Sequence, residues 1–261
     1  MSAFWKDLAR QVGDTAFALL PTLPYAKPEP STYEGDAVIA RGLAAGARPD
    51  GPPAFKNADF TIPRGSRTAL TGPNGSGKST LLRLLAGLVP AQEGEAFVAG
   101  APPCLGRSRI AYLAQRPQLT EGFPLQVRRL VQMGTYAHHG WFEECRHGDD
   151  VVDEALSRLG LTELTDRPVH ALSGGQLQRA LIARAVVQGA EILLLDEPYA
   201  ALDAASREII EGFVFDRGHP FTVVMATHDP ADLGRFDRIL ELRDGAVVTR
   251  LAVLPDAPRH A

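Results

Sequence analysis

A glycine-rich stretch ending in Lys-Ser-Thr is the part of this sequence whose residue types and spacing most clearly could do chemistry. Residues 72–80 read GPNGSGKST and fit the pattern G-x-x-x-x-G-K-[ST]. A strand is predicted before this stretch, at residues 67–70, and a helix after it, at residues 81–88. The inward-facing backbone N–H groups of such a loop and the positive end of the helix attract phosphate oxygens. This segment is therefore predicted to be a phosphate loop for a nucleotide.

The residue types in the loop suggest separate roles. Gly75 and Gly77 would let the backbone approach the phosphates closely, Lys78 would reach the β and γ phosphates, and the Ser79 hydroxyl would bind Mg²⁺. The predicted phosphate-binding residues are Gly72, Pro73, Asn74, Gly75, Ser76, Gly77, Lys78, Ser79 and Thr80.

Two adjacent acids follow a strongly apolar run at residues 192–195. Asp196 would end a buried strand, which is a rigid position from which to hold a carboxylate toward Mg²⁺. Glu197 comes one residue later, where it could act as general base toward a water molecule. Paired acids are also common at strand ends without a catalytic role. Because a complete phosphate loop lies in the same chain, the catalytic interpretation is favoured.

A second glycine motif, LSGGQ, occupies residues 172–176. Ser173, Gly174 and Gly175 would precede a helix beginning near Gln176, and the N-terminus of a helix attracts anions. A serine that merely caps a helix would give the same local pattern.

Composition and charge narrow the class of protein. The chain has 261 residues, of which 45% are apolar, and a formal net charge of −4. It has no run of Lys and Arg, so an extended contact with nucleic acid is not expected. No apolar stretch reaches the length of a membrane-spanning helix, and Asp7 and Asp14 interrupt the N-terminal region, so we expect a cytosolic chain. Cys104 and Cys145 lack metal-ligand spacing and are expected to be reduced thiols.

Secondary-structure patterns change along the chain. Residues 1–35 combine a short helical pattern with four prolines, and we expect either a loosely attached extension or a partner-binding helix. Residues 116–187 have a helical pattern, and strands are expected on both sides of it. The further strands are predicted at residues 37–40, 55–62, 95–99, 109–115, 192–195, 221–226, 239–242 and 246–251. This order predicts an α/β nucleotide-binding core interrupted by a helical lobe.

The motifs GPNGSGKST, LSGGQ and ILLLDEP, together with a lone histidine after a strand, resemble the ATP-binding subunit of an ATP-binding cassette (ABC) transporter. The resemblance covers about residues 37–254. It implies an α/β fold with a P-loop NTPase core, a mixed and largely parallel sheet, an antiparallel β edge and an inserted α-helical lobe. The nucleotide-binding domain would span residues 36–254, its lobe residues 116–187, and residues 255–261 would form a tail. The cofactors implied are ATP and Mg²⁺.

The same resemblance implies a dimer of two copies that sandwiches two ATP molecules. Each copy would then contact the ATP of its partner through Ser173, Gly174, Gly175 and Gln176. Asp203 resembles the loop aspartate that contacts the partner subunit. Gln115 resembles the glutamine that touches Mg²⁺ or water, and His228 resembles the histidine that contacts the γ-phosphate and positions Glu197. The implied metal ligands are Ser79, Gln115 and Asp196, and the implied catalytic residues are Glu197, His228, Gln115 and Lys78.

Two positions depart from the family pattern. Residues 44–48 stand where members of the family usually have an aromatic ring that stacks on adenine, and they contain none. Either Arg48 stacks its guanidinium group on the base or this platform is absent. Tyr199 stands where the family often has a smaller polar residue.

The helical region has a looser resemblance to importers of zinc, manganese or iron, through Phe123-Pro124-Leu125, Met133-Gly134 and residues 138–142. This implies a peripheral subunit on the cytoplasmic face of the membrane, bound to transmembrane permease subunits and served by an extracytoplasmic solute-binding protein. The alternatives are a subunit of an exporter or of an importer for another solute, and a soluble ABC ATPase. His138, His139, Cys145 and His147 could form a metal sensor, but a polar loop facing a partner is the simpler interpretation.

Overall fold

The computed structural model describes residues 35–115, 125–137, 148–200, 202–218 and 221–251. The predicted N-terminal extension, apart from residue 35, lies outside the described residues, as do the tail, residues 116–124 and residues 138–147. The chain divides into two compact units. The sheet unit comprises the described residues of 31–112, 191–197 and 215–261, and the helical unit those of 113–190 and 198–214.

A six-stranded sheet forms the centre of the sheet unit. Its strands are β3 (Arg67–Thr71), β5 (Ile110–Leu113), β6 (Ile192–Asp196), β7 (Thr222–Ala226), β8 (Arg238–Arg243) and β9 (Ala246–Leu251). They lie in the order β5-β6-β7-β3-β8-β9. Strands β3, β6, β7 and β8 pair in parallel, and β9 pairs with β8 antiparallel. Every residue of β6 and β7 is buried, as expected for apolar strands in the middle of a parallel sheet covered on both faces.

A three-stranded antiparallel sheet makes up the rest of the strands in this unit. Its order is β2-β1-β4, with β1 at Val38–Ala45, β2 at Phe55–Ile62 and β4 at Glu93–Val98. Buried and exposed residues alternate in the second half of β2, which is typical of a strand with one face in the core. The prediction of an α/β fold with an antiparallel β edge is therefore confirmed.

The helix after the phosphate loop, α1, spans Lys78–Leu85, so the predicted bounds of residues 81–88 were wrong. It begins directly after Gly77, and it ends in a Schellman motif. There the Leu88 N–H donates to the Arg83 carbonyl oxygen and the Gly87 N–H donates to that of Leu84, both at 2.8 Å. Gly87 has φ 70°, which glycine adopts without strain. The periodic leucines alone did not reveal where this reversal ends the helix.

Several predicted strands also have different bounds. The strand expected at residues 37–40 continues much further, since β1 spans Val38–Ala45. The strand expected at residues 95–99 ends one residue earlier, because Ala99 turns with φ 51°. The strand expected at residues 109–115 is shorter at both ends, since Arg109 belongs to a 3₁₀ turn.

The helical unit contains α2 (Val127–Gln132), α3 (Gly148–Arg158), α4 (Gly174–Val187) and α5 (Ala204–Phe215). Buried apolar residues on α2, α3 and α4 pack these three helices together, among them Leu130, Leu156 and Ile182. Gly134 allows close approach to α4, because a methyl group there would lie 2.9 Å from the Gln188 nitrogen. In the described residues no helix is both long and apolar enough to cross a membrane.

A buried arginine ties the starts of several elements of the sheet unit together. Arg67, at the first position of β3, is only 1% exposed. Its guanidinium group donates to the carbonyl oxygens of Phe221 (2.6 Å) and Asp216 (2.7 Å), and its backbone N–H donates to Asp237 Oδ2 (2.7 Å). Arg217 donates to both oxygens of Asp237, at 2.8 and 3.1 Å. The entrances to β3, β7 and β8 are thus held by one polar cluster.

Replacing Asp237 should remove a pH-dependent contribution to the free energy of unfolding. Burial opposes ionisation of Asp237, but hydrogen bonds from Arg217 and from the Arg67 backbone outweigh it and lower the pKa of this carboxyl. The stabilisation is therefore present above the unfolded-state pKa of about 4 and is lost as the pH falls through the folded-state pKa. Asp237→Asn should lower the free energy of unfolding by about 1–2 kcal/mol at pH 7. The loss should shrink in urea titrations below pH about 4.

The exposed pair of Arg41 and Glu95, at 3.3 Å, provides a control for this measurement. Glu95→Gln should change the free energy of unfolding by less than about 0.5 kcal/mol, because exposed ion pairs contribute little. An Asp237→Asn loss that stays constant from pH 7 to pH 3 would contradict the assigned role.

Candidate active site

The parallel sheet brings together segments that are far apart in sequence. In the register of β3, β7 and β6, Leu70 and Asp196 both pair with Ala226. The three strands therefore end at one edge of the sheet. The phosphate loop follows β3, Glu197 follows β6, and Thr227 and His228 follow β7. Their convergence at the carboxyl ends of parallel strands is where α/β folds place their ligand sites.

Three glycines give the phosphate loop its shape. Gly72, Gly75 and Gly77 have φ values of 142°, 79° and 103°, which residues with a side chain rarely adopt. A methyl group on Gly72 would also overlap the Leu242 carbonyl oxygen and lie 2.8 Å from Ser76 Oγ. One on Gly75 would meet nothing within 4 Å. Gly72 is thus required by both conformation and space, and Gly75 by conformation alone.

Lys78 is buried and folds back over the start of the loop. Its ammonium group donates to the carbonyl oxygens of Gly72 (2.8 Å) and Pro73 (3.1 Å). Within the described part of the chain, the buried hydroxyl oxygen of Ser76 has no hydrogen-bond partner. An ammonium group and an unsatisfied hydroxyl inside one glycine loop suit an anionic oxygen ligand. Asn74 is exposed, whereas Ser79 and Thr80 lie half-buried in the first turn of α1.

The two acids at the carboxyl end of β6 have different surroundings. Asp196 is 4% exposed and accepts a hydrogen bond from the Tyr112 hydroxyl at 3.4 Å. Glu197 has φ 48°, a left-handed conformation that costs about 1–2 kcal/mol in a residue with a side chain. Its backbone N–H donates to the Ala226 carbonyl oxygen at 3.2 Å. This turn directs the chain away from the sheet immediately after the two carboxylates.

His228 lies next to Glu197. The distance from His228 Nδ1 to Glu197 Oε1 is 3.8 Å, and the side chains are 73% and 17% exposed, respectively. The imidazole thus remains open to solvent, while the carboxylate is mostly covered. The structure therefore brings together the two residues that the sequence could pair only by resemblance.

In the helical unit, the LSGGQ motif forms the start of α4. The helix begins at Gly174, two residues before the predicted start at Gln176. Ser173 and Gln176 form a capping box: the Gln176 N–H donates to Ser173 Oγ (3.3 Å), and the Ser173 N–H donates to Gln176 Oε1 (3.0 Å). The Gln176 side chain is thereby engaged within its own helix. Ser173 and Gly174 are exposed, and Gly175 is buried.

Asp203 directly precedes α5 and caps it. Its carboxylate accepts hydrogen bonds from the Ser206 N–H (2.8 Å) and from the Ser206 hydroxyl (3.0 Å). These bonds lower the pKa of Asp203. The sequence reasoning missed Ser206, although the Asp-x-x-Ser spacing before a helix is a recognisable cap. Gln115, two residues beyond β5, is exposed.

The segment that lacks an aromatic ring has a defined position in the sheet unit. Ala44 and Ala45 are buried at the end of β1. Arg48 is exposed in the following loop, which Gln92 holds by donating its side-chain amide to the carbonyl oxygens of Arg48 (3.1 Å) and Gly51 (2.8 Å).

The chain matches known proteins over most of its length. A family model described as ABC transporter matches residues 55–200. This chain belongs to the ABC transporter family. It is 38% identical over 210 residues to the zinc transport system ATP-binding protein TroB of Treponema pallidum, covering 76% of this chain and 77% of TroB. It is also 38% identical over 178 residues to the manganese transport system ATP-binding protein MntB of Listeria monocytogenes, covering 67% and 74% of the two chains.

A solved structure supports the same assignment. This chain resembles the ATP-binding cassette MJ0796 with a TM-score of 0.72 and 26% identity. The structure of MJ0796 is that of a dimer in a post-hydrolysis state, bound to ADP and phosphate. The similarity covers 84% of this chain and all of that one. The predictions of family, of fold class and of an ATP-hydrolysing ABC subunit are therefore confirmed.

The two loop glycines of this ABC ATPase should respond differently to alanine. Gly72→Ala adds a steric overlap to an unfavourable φ and should lower the free energy of unfolding of the nucleotide-free protein by about 3 kcal/mol. Gly75→Ala adds only the unfavourable φ and should cost about 1 kcal/mol. Equal losses in thermal or urea unfolding would show that the carbonyl of Leu242 does not restrict this loop.

Proposed function

We propose that this ABC ATPase energises the import of a transition-metal ion of the zinc or manganese type. The observation that carries the proposal is the 38% identity to TroB and MntB, which are named for zinc and manganese transport. The subunit would act at the cytoplasmic face of the membrane, bound to transmembrane permease subunits. An extracytoplasmic solute-binding protein would deliver the cargo to the permease. The metal is then cargo and does not reside in this subunit.

The working form proposed is a dimer in which two copies enclose two ATP molecules. Ser173 and Gly174 are exposed at the N-terminus of α4, where backbone N–H groups and the helix dipole favour a phosphate. The dimeric state of MJ0796 with ADP and phosphate supports this arrangement. Each copy would hold its own ATP in the phosphate loop and contact the ATP of its partner through the start of α4.

The residues of the sheet unit fit a bound Mg²⁺ ion. Mg²⁺ prefers oxygen ligands and is usually held by one or two protein oxygens together with substrate phosphates. Asp196 offers a buried carboxylate, and the hydrogen bond that it accepts from the Tyr112 hydroxyl is long at 3.4 Å. Ser79 offers a hydroxyl in the first turn of α1. Gln115, which belongs to the helical unit, is added to this set by the resemblance to the family alone. When bound, the ion neutralises charge on the β and γ phosphates.

The remaining chemistry belongs to side chains of this chain. Lys78 and the phosphate loop hold the γ-phosphate, and Glu197 accepts a proton from the attacking water as the phosphate leaves ADP. His228, whose Nδ1 is 3.8 Å from Glu197 Oε1, orients that carboxylate and contacts the γ-phosphate. Closure of the dimer on ATP would drive the permease, and hydrolysis would release the dimer. Asp203 would contact the other copy.

Replacing Glu197 by glutamine should separate ATP binding from hydrolysis. Glu197→Gln keeps the size of the side chain but removes the base, so the ATPase rate should fall at least about 100-fold, in line with the usual contribution of general base catalysis. ATP should still bind and hold the protein as a dimer, measurable by size-exclusion chromatography with light scattering. Glu95→Gln, on β4, is the matched control and should leave both properties unchanged. Normal turnover by Glu197→Gln would refute the assigned base.

Transport measurements test the cargo. Cells lacking this subunit should lose uptake of radioactive Zn²⁺ or Mn²⁺, and the wild-type chain should restore it, whereas the Glu197→Gln variant should not. Uptake of an unrelated solute, such as an amino acid, serves as the control. If the uptake of neither metal depends on the subunit while its ATPase activity is intact, another importer, an exporter or a soluble ABC ATPase becomes the better interpretation.

A further inference from the structure

Within the helical unit, the start of α4 rests directly on the start of α5. Gly174 and Gly175 both have ordinary backbone conformations, so neither is required by its φ. A methyl group on Gly174 would meet nothing within 4 Å. On Gly175 it would overlap the Ser206 hydroxyl and lie 2.6 Å from Ser206 Cβ. The same methyl group would lie 3.1 Å from Asp203 Oδ2, so Gly175 is required by packing against Ser206 and the carboxylate that Ser206 holds.

Ser206 performs two structural tasks at this contact. Its side chain is almost completely buried, with 2% of the residue exposed. The hydroxyl donates to Asp203 Oδ2 at 3.0 Å, and the backbone N–H donates to Asp203 Oδ1 at 2.8 Å. The same hydroxyl oxygen is the atom that lies against Gly175. One side chain thus holds the Asp203 carboxylate and forms the surface on which α4 begins.

Arg179 adds a second attachment one turn further along α4. Its guanidinium group donates to the carbonyl oxygens of Leu159 (2.9 Å) and Gly160 (3.1 Å), just beyond the end of α3. Its positive charge also acts on the Asp203 carboxylate. The first turns of α4 are therefore held between α3 and α5, while Ser173 and Gly174 remain exposed at the tip.

We infer that Ser206 is a positioning residue for the nucleotide-facing end of α4. The inference rests on the proposed function, in which Ser173 and Gly174 contact the ATP of the partner copy. Without the hydroxyl, the Asp203 carboxylate loses one of its two bonds from Ser206, and Gly175 loses the nearest of the atoms on which it packs. The start of α4 then no longer has a fixed position, so dimer closure on ATP weakens. Binding of ATP to the chain's own phosphate loop does not involve Ser206 and stays as it was.

The test uses the full-length Glu197→Gln protein as the parent, because its dimer is expected to accumulate with ATP. Ser206→Ala in this parent should raise the dimer dissociation constant, measured by analytical ultracentrifugation with ATP, about tenfold. The dissociation constant for ATP of the monomer, measured with a fluorescent analogue at low protein concentration, should change less than about twofold, since one hydrogen bond elsewhere is lost. Ser206→Thr keeps the hydroxyl and should restore most of the dimer affinity.

Ser157→Ala is the matched control, because it removes an exposed serine hydroxyl from α3 in the same unit. It should change neither constant. Should Ser206→Ala fold poorly, Ser206→Cys, which keeps a side chain of similar shape and donates a much weaker hydrogen bond, carries the same expectation.

The outcomes distinguish this inference from the proposed function. A parent that stays monomeric with ATP would overturn the proposed dimer and the role of Ser206 in it. A parent that dimerises, with an unchanged dimer constant in Ser206→Ala, would overturn the role of Ser206 alone. Equal weakening of ATP binding and dimerisation would also overturn it, because it would show a general loss of structure.

Discussion

The parallel register of β3, β7 and β6 is the constraint on which the nucleotide site depends. Pairing of Leu70 and Asp196 with Ala226 makes the three strands end together, and each strand is followed at once by a functional segment. A shift of one residue would turn Asp196 to the other face of the sheet. The polar cluster of Arg67 and Asp237 holds the opposite ends of the strands. Buried apolar strands and the buried Arg67 therefore hold close together groups that lie far apart in the sequence.

Close packing of the backbone at glycine residues is the second feature on which the fold of the site depends. Gly72 lies against the Leu242 carbonyl of β8, Gly87 reverses the chain after α1, and Gly175 lies against Ser206. Glu197 accepts a left-handed φ with a side chain present, at a cost that the surrounding hydrogen bonds must offset. Strain at a residue with an assigned catalytic role agrees with the general tendency of functional sites to store it.

The two units contribute different kinds of surface. The sheet unit supplies a cradle for phosphates, in which Lys78 and the hydroxyl oxygen of Ser76 are buried. The helical unit supplies the exposed start of α4. Ser206 packs against this start, and Arg179 attaches the first turns of α4 to the end of α3. A site assembled from two copies needs such a fixed, exposed edge, because any disorder there would add to the entropic cost of association.

The sequence alone determined the family, the fold class and the residues of the nucleotide motifs, because their spacing along one chain is local and distinctive. It also located the strands of the large sheet, of which β6 and β7 contain uninterrupted apolar runs. It did not determine where α1 and α4 begin, since backbone conformation at Gly77 and the capping box at Ser173 set those ends. It missed Tyr112, whose bond to Asp196 forms only on folding. It also missed Ser206, whose bonds to Asp203 are local but whose contact with Gly175 depends on helix packing. Only the tertiary structure placed Glu197 beside His228 and Gly175 on Ser206, because contacts between distant segments depend on strand register and helix packing, which short motifs do not encode.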